Sequence, residues 1–156
     1  MAVYYSFHFD RDCRRVQHVI NMGQLEGQRI LNSQDWESVK AKGKANIEKW
    51  IDEQMKYKET LIVLVGKETA SRPWVRHEII HAWNAKKKIL GVRIHNLKDP
   101  VTGTDTAGAD PFAQIKFKDS DKTLANYITL HDPGSDAYNT IKANLKSWIA
   151  SAHKPT

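Results

Sequence analysis

Two spacings in this chain put reactive side chains on a common helical face. His77-Glu78-Ile79-Ile80-His81 is a literal H-E-x-x-H run. On a helix its imidazoles fall at i and i+4 with a glutamate beside them as general base, the arrangement of a zinc hydrolase. A catalytic zinc of that kind takes a third protein ligand. The extended motif would need histidine at position 87, where the chain has Lys87, and no glutamate follows Glu78. Only His95, Asp99 or a later aspartate is left, so the reading carried forward is no metal, with the zinc hydrolase as an alternative. The second spacing pairs Trp74 with Glu78, four residues apart at a helix start. An indole and a carboxylate converging there can hold a ribosyl ring. The aromatic face stacks, while the carboxylate accepts ribose hydroxyls or stabilises an oxocarbenium-like centre. Read from residue type alone, the better account is Trp74 as a core aromatic and Glu78 as a helix-surface carboxylate.

Other nucleotide and nucleophile signatures are missing from the sequence. Gly66-Lys67 is followed by Glu68 and preceded at the required distance by Leu61, so it is no P-loop. No G-x-G-x-x-G follows a strand pattern, and there is no G-x-S-x-G elbow. The single cysteine, Cys13, excludes an internal disulfide and reads as a small buried residue.

The elements that must position these residues follow from periodicity. Val3, Tyr5 and Phe7 alternate, which predicts a first strand ending near Ser6 to His8. Val16, Val19 and Ile20 recur at helical spacing behind Asp10 or Asp12 as a cap. The polar stretch 23–34 holds two glycines and a short strand around Arg29 to Leu31. Trp36, Val39, Ile47, Trp50, Ile51 and Met55 form a helical stripe that Gly43 divides. Thr60 to Val65 is a continuous β-branched and apolar run, the pattern of a strand covered on both faces. Ser71 and Pro73 open the next helix, whose core face is Val75, Ile79 and Ala82 or Trp83. Ile89 to Ile94 is another strand, and His95 to Pro111 a long loop. Short strands near Ile115 to Phe117 and Tyr127 to Leu130 follow. A last helix carries Tyr138, Ile141, Leu145, Trp148 and Ile149. Strands alternating with helices imply an α/β protein, a central mostly parallel sheet with helices on both faces. Ligands bind such a sheet beyond the carboxyl ends of its strands. The privileged loops are therefore 6–12, 66–74 and 95–112.

Composition narrows the function classes. The chain has 156 residues, 40% hydrophobic and 27% charged, which suits a single domain over residues 1–156 with a real core. No apolar run approaches the roughly 20 residues of a membrane helix, and no signal peptide is visible. The expectation is a soluble, cytoplasmic protein. The net charge of +6 attracts polyanions. However, its densest run is Lys86-Lys87-Lys88, and no nucleic-acid-binding motif accompanies it.

The order Ser6-Phe7-His8-Phe9-Asp10, then Thr60 to Gly66, then Ser71-x-x-Trp74-Val75-x-x-Glu78-Ile79 resembles the TIR domain superfamily. Asp35-Trp36-Glu37, Trp50-Ile51-Asp52, the segment 91–99 and Asp110-Pro111-Phe112 extend the resemblance over most of residues 3–150. The group most closely resembled is the TIR-like proteins of the bacterial Thoeris anti-phage defence system. The resemblance implies a flavodoxin-like TIR fold. It also implies an NAD nucleosidase or ADP-ribosyl cyclase, with NAD as substrate and no resident cofactor. The helix glutamate maps onto Glu78 as catalytic residue. Phe7, His8, Phe9 and Asp10 would line the first loop, Ser71 and Trp74 the opposite wall, and Asp35 with Trp36 a mobile closing loop. The product would be a signalling nucleotide such as a cyclic ADP-ribose isomer that activates a separate effector protein. A phage-derived trigger and self-association complete the implied partners, with no specific nucleic acid and no membrane. A non-catalytic TIR-like interaction or sensor module is the alternative within the same fold.

Overall fold

A computed structural model of the protein describes residues 2–27 and 38–156. Among the described residues, five strands form one sheet: β1 (Ala2–Ser6), β2 (Glu26–Gly27), β3 (Thr60–Val65), β4 (Lys88–Arg93) and β5 (Leu130–His131). Their order is β2-β1-β3-β4-β5 and every pairing is parallel. This is the flavodoxin-like doubly wound order, with its switch point between β1 and β3. Accompanying it among the described residues are the helices α1 (Phe9–Asn21), α2 (Lys44–Met55), α3 (Pro73–Asn84) and α4 (Ala137–Ala150).

β3 is buried at all six positions, as its unbroken apolar run requires. Because successive side chains of a strand alternate faces, β1 splits its residues between two cores. Val3 and Tyr5 pack with Val16 and Val19 of α1 and with Ile141 and Leu145 of α4. Tyr4 packs on the other face with Ile47, Ile51 and Met55 of α2 and with Val75, Ile79 and Ala82 of α3. Ser6 has the parity of Tyr4 and so faces α3. Gly43 does divide the helical stripe. Its φ of +86°, a backbone state that glycine tolerates best, sits at the N-cap of α2 after a helical turn at 38–40.

Several expectations change. Neither Asp10 nor Asp12 caps α1: the N-cap is His8, and both aspartates lie within the first turn, where they complement the helix dipole. Ser71 is no helix cap but the end of a 3-10 turn, Thr69–Ser71, and Pro73 begins α3 after Arg72. The strand expected at 115–117 reduces to one isolated bridge from Lys116 to Thr123, just after a 3-10 turn, Pro111–Gln114. The strand expected at 127–130 shrinks to Leu130–His131, preceded by a 3-10 turn at Leu124–Asn126. Tyr138 is 42% exposed on α4, its ring beneath the Lys142 ammonium, and so is not core. Cys13 is half-buried rather than fully so. The strand expected near Arg29 to Leu31, together with Asp35 and Trp36, lies outside the described residues.

The loop after β4 crosses back over the sheet and is tied down by arginines. Arg11 forks onto Asp105 (Nε–Oδ2 2.7 Å, Nη2–Oδ1 3.1 Å), Arg14 Nε donates to Asp99 (2.9 Å), and Arg93 donates to the Gly108 carbonyl (2.7 Å). Buried Arg15 donates to Asp12 and to the Leu97 and Gly103 carbonyls. Gly108 passes so close to the end of β3 that a Cβ there would strike the carbonyl oxygens of Gly66 and Lys67.

Candidate active site

Glu78 is the residue around which the candidate site is built. It stands on α3 in the series Val75, Glu78, Ile79, Ala82, all four of them buried. Spacing of i, i+3, i+4 and i+7 is the core-facing stripe of a helix, so Glu78 occupies a position that an apolar residue would normally fill. Only 7% of it is exposed, which excludes the reading of a surface carboxylate. Burying a carboxylate demands hydrogen-bond donors. β1 supplies them: Ser6 Oγ donates to Glu78 Oε1 at 2.8 Å, and the Tyr4 hydroxyl also hydrogen-bonds the carboxylate.

These contacts set the charge state. Burial pushes Glu78 up to about 7, although the bonds from Tyr4 and Ser6 pull in the opposite direction. Tyr4 is raised well above its ordinary value, first by burial and then by the negative charges of Glu78 and Asp52. It therefore stays a neutral donor. The result is a carboxyl group poised between acid and base near neutrality, with one oxygen fixed by Ser6.

The two histidines of the H-E-x-x-H run share a face, as their spacing predicts. His77 Nε2 and His81 Nδ1 lie 3.1 and 3.3 Å from the same oxygen of Asp52 on α2. Their rings are near-parallel with centroids 6.3 Å apart. They clasp α2 to α3, while Glu78 turns into the sheet. The motif is thus split between two faces of its helix.

The other expected site residues are placed as follows. Phe7 and His8 form the short connection after β1, and Phe9 opens α1; all three are half-buried, with the Phe7 and Phe9 rings 6.3 Å apart. His8 stays below its ordinary value, mainly through burial and then through the charge of Arg72. Asp10 is exposed. Trp74 is half-buried against the α2–α3 core and meets His77 edge to face at 6.1 Å. Ser71 is exposed and its hydroxyl donates to the Glu68 carbonyl at 2.8 Å, a local turn bond. The chain therefore brings Glu78 to the end of β1, beside the loop 7–9 that follows Ser6.

Tyr4 is not among the residues singled out from sequence, and Ser6 enters there as the first residue of loop 6–12, with no role of its own. The signal that finds them is strand parity: once Glu78 is recognised on the core stripe of α3, the β1 residues facing α3 are its neighbours.

Residues 4–99 match the family model described as "Thoeris protein ThsB, TIR-like domain". A Bacillus cereus (strain MSX-D12) protein provisionally named cyclic ADP-D-ribose synthase ThsB1 is 27% identical over 121 residues, which is 74% of this chain and 63% of that relative. The chain thus spans a little less than two thirds of the curated relative it matches. Among the described residues, no helix is long and apolar enough to cross a membrane.

Proposed function

The chain belongs to the TIR-like family of Thoeris ThsB proteins, and we propose that it cleaves NAD at the nicotinamide–ribose bond with Glu78 as catalytic residue. The observation that carries this reading is the buried Glu78 carboxylate, held by Ser6 and Tyr4 at the carboxyl end of β1. The bond from ribose C1′ to the nicotinamide nitrogen breaks with its electron pair leaving on nicotinamide, a neutral product. The ribosyl centre gains oxocarbenium character, which an adjacent carboxylate stabilises most where water is sparse. A hydroxyl of the same ADP-ribosyl group then bonds to C1′ and loses its proton. A carboxylate titrating near 7 is matched to receive it. Attack by water instead gives linear ADP-ribose, so cyclisation depends on how well the site excludes solvent.

The name of the Bacillus cereus relative supports a cyclic ADP-ribose-type product, and in our reading that product is a signal for a separate effector. Phe7, His8 and Phe9 contribute the wall nearest the reacting ribose, with Trp74 on the α3 side; Asp35 and Trp36 are proposed for the closing loop. The test is mass spectrometry of NAD incubated with the wild-type protein and with Glu78→Gln. Nicotinamide and an ADP-ribose-derived nucleotide are expected from the wild type alone. Equal turnover by the two proteins would refute the role of Glu78. Silence from both, repeated in lysates of phage-infected cells, would refute the reaction and favour an interaction module.

A further inference from the structure

Beyond the carboxyl ends of the strands lies a concavity of about 540 Å³, on the α1 side of the sheet. Its volume is in the range of ligand sites, and its position is where doubly wound sheets bind them. Its lining residues are all charged or polar, which favours a polar ligand. Arg11, Arg14 and Arg15 face Asp10, Glu68 and Asp105 in it, so its charges are balanced in the free protein.

The anions of this wall differ in how firmly they are held. Asp105 takes the fork of Arg11 and a backbone N–H from Thr106, and is held down at about 2, chiefly by the Arg11 bond. Glu68, 41% exposed, bridges two guanidinium groups instead: Oε2 accepts from Arg11 Nη1 at 2.8 Å, and Oε1 lies 3.9 Å from Arg72 Nη2. One cationic donor on α1 remains open. Arg14 uses only Nε on Asp99, and its two amino groups have no partner among the described residues. The buried Nδ1 of His8 also lacks a hydrogen-bond partner. His8 is two residues beyond Ser6, a span of at most about 7 Å. The concavity, which His8 lines, therefore starts within two residues of the strand end whose hydroxyl holds Glu78.

We propose that this concavity seats the diphosphate of a nucleotide, and that Glu68 holds the same place in the free protein. An entering diphosphate displaces Glu68 from Arg11 and Arg72 and gains the open edge of Arg14. Guanidinium forks are well suited to phosphate oxygens. Glu68 is then a built-in competitor that lowers the affinity for every diphosphate ligand. That the ligand is NAD or its ADP-ribosyl product rests on the function proposed above, whereas the seat itself does not.

The experiment is calorimetric titration of ADP-ribose and of adenosine, at low salt, into wild type, Glu68→Gln and Arg14→Gln. Glu68→Gln keeps the shape of the side chain and removes the competing charge. It is expected to bind ADP-ribose roughly three- to tenfold more tightly, since an exposed ion pair of this kind opposes binding only modestly. Arg14→Gln is expected to bind it about tenfold more weakly. Adenosine, which has no diphosphate, should not distinguish the three proteins. Unchanged or weaker ADP-ribose binding by Glu68→Gln overturns the proposal, even if Arg14→Gln fails to fold. NAD cleavage without tighter binding by Glu68→Gln removes the seat and leaves the reaction standing. The expected binding pattern without NAD cleavage keeps the seat and removes the reaction.

Discussion

Ser6→Ala tests whether the hydroxyl on β1 sets the charge state of Glu78. The substitution deletes one oxygen from a buried strand position and leaves the Tyr4 bond in place. Ser6 Oγ donates to a buried carboxylate at 2.8 Å, and such charge-assisted bonds contribute about 1.5–3 kcal/mol. The bond favours the ionised form, so losing it raises the pKa by about one to two units at 1.36 kcal/mol per unit. Starting from about 7, the ionised fraction at pH 7.5 falls from about three quarters to between about a quarter and a few per cent. The assay is nicotinamide release from NAD at limiting substrate between pH 5.5 and 9.5, which follows kcat/KM and the free enzyme. The acid limb is expected to move to higher pH by one to two units, with activity recovering at the alkaline end. A uniform loss at every pH, or a limb that moves to lower pH, would refute the argument. The first outcome would mean that Ser6 matters only for packing. The second would mean that it stabilises the protonated acid.

Three further outcomes follow from the same contacts. Glu78→Gln is expected to stabilise the fold above pH 7 while abolishing turnover. The folded-state value of about 7 lies above the ordinary 4.5, so the folded chain binds the extra proton and stability declines as pH rises between those values; urea denaturation at pH 8 should show a gain on the order of 2–3 kcal/mol. Asp99 is held at about 2 against the upward push of burial, by the Val101 N–H, the Arg14 guanidinium and the Thr102 N–H. Its contribution is complete above about 3.8 and is lost as pH falls towards 2. Asp99→Asn should therefore lower the melting temperature at pH 7 by roughly 3–8 °C and flatten the acid limb of the stability profile. Gly108→Ala puts a Cβ against two backbone carbonyls that cannot step aside; a loss of roughly 2–4 kcal/mol in urea denaturation is expected, and a change below 0.5 kcal/mol would contradict the close approach.

The architecture was legible because its signals are local. The six-residue run from Thr60 gave away a strand covered on both faces, and the Val75-Ile79-Ala82 spacing gave the inner face of α3. Glu78 was legible as a candidate through its spacing from Trp74 and through the family resemblance. Its burial was less so, because a charged residue on an apolar stripe reads by type as solvent-facing. The split of the H-E-x-x-H run was hidden for a related reason. His77 and His81 answer to Asp52, whose pairing with them depends on how α2 lies against α3. Least legible was the arginine-bound loop: Arg11 with Asp105, Arg14 with Asp99 and Arg93 with Gly108 join parts of the chain that no local pattern connects.

The parallel sheet carries a consequence for the order in which the chain comes together. β1 pairs with β3 from Val3 to Thr60, about twice as far along the sequence as β3 pairs with β4, from Thr60 to Lys88. A doubling of loop length costs only about 0.6 kcal/mol at equilibrium, yet the longer closure is the slower one to find. Glu78 lies within the shorter circuit, whereas Ser6 and Tyr4 arrive with the longer. A chain that has closed β3, α3 and β4 but not yet received its first strand holds a carboxylate with nothing to aim it. The same holds for a mature molecule that transiently releases β1. Arming of Glu78 is thereby reserved for chains whose beginning has come home.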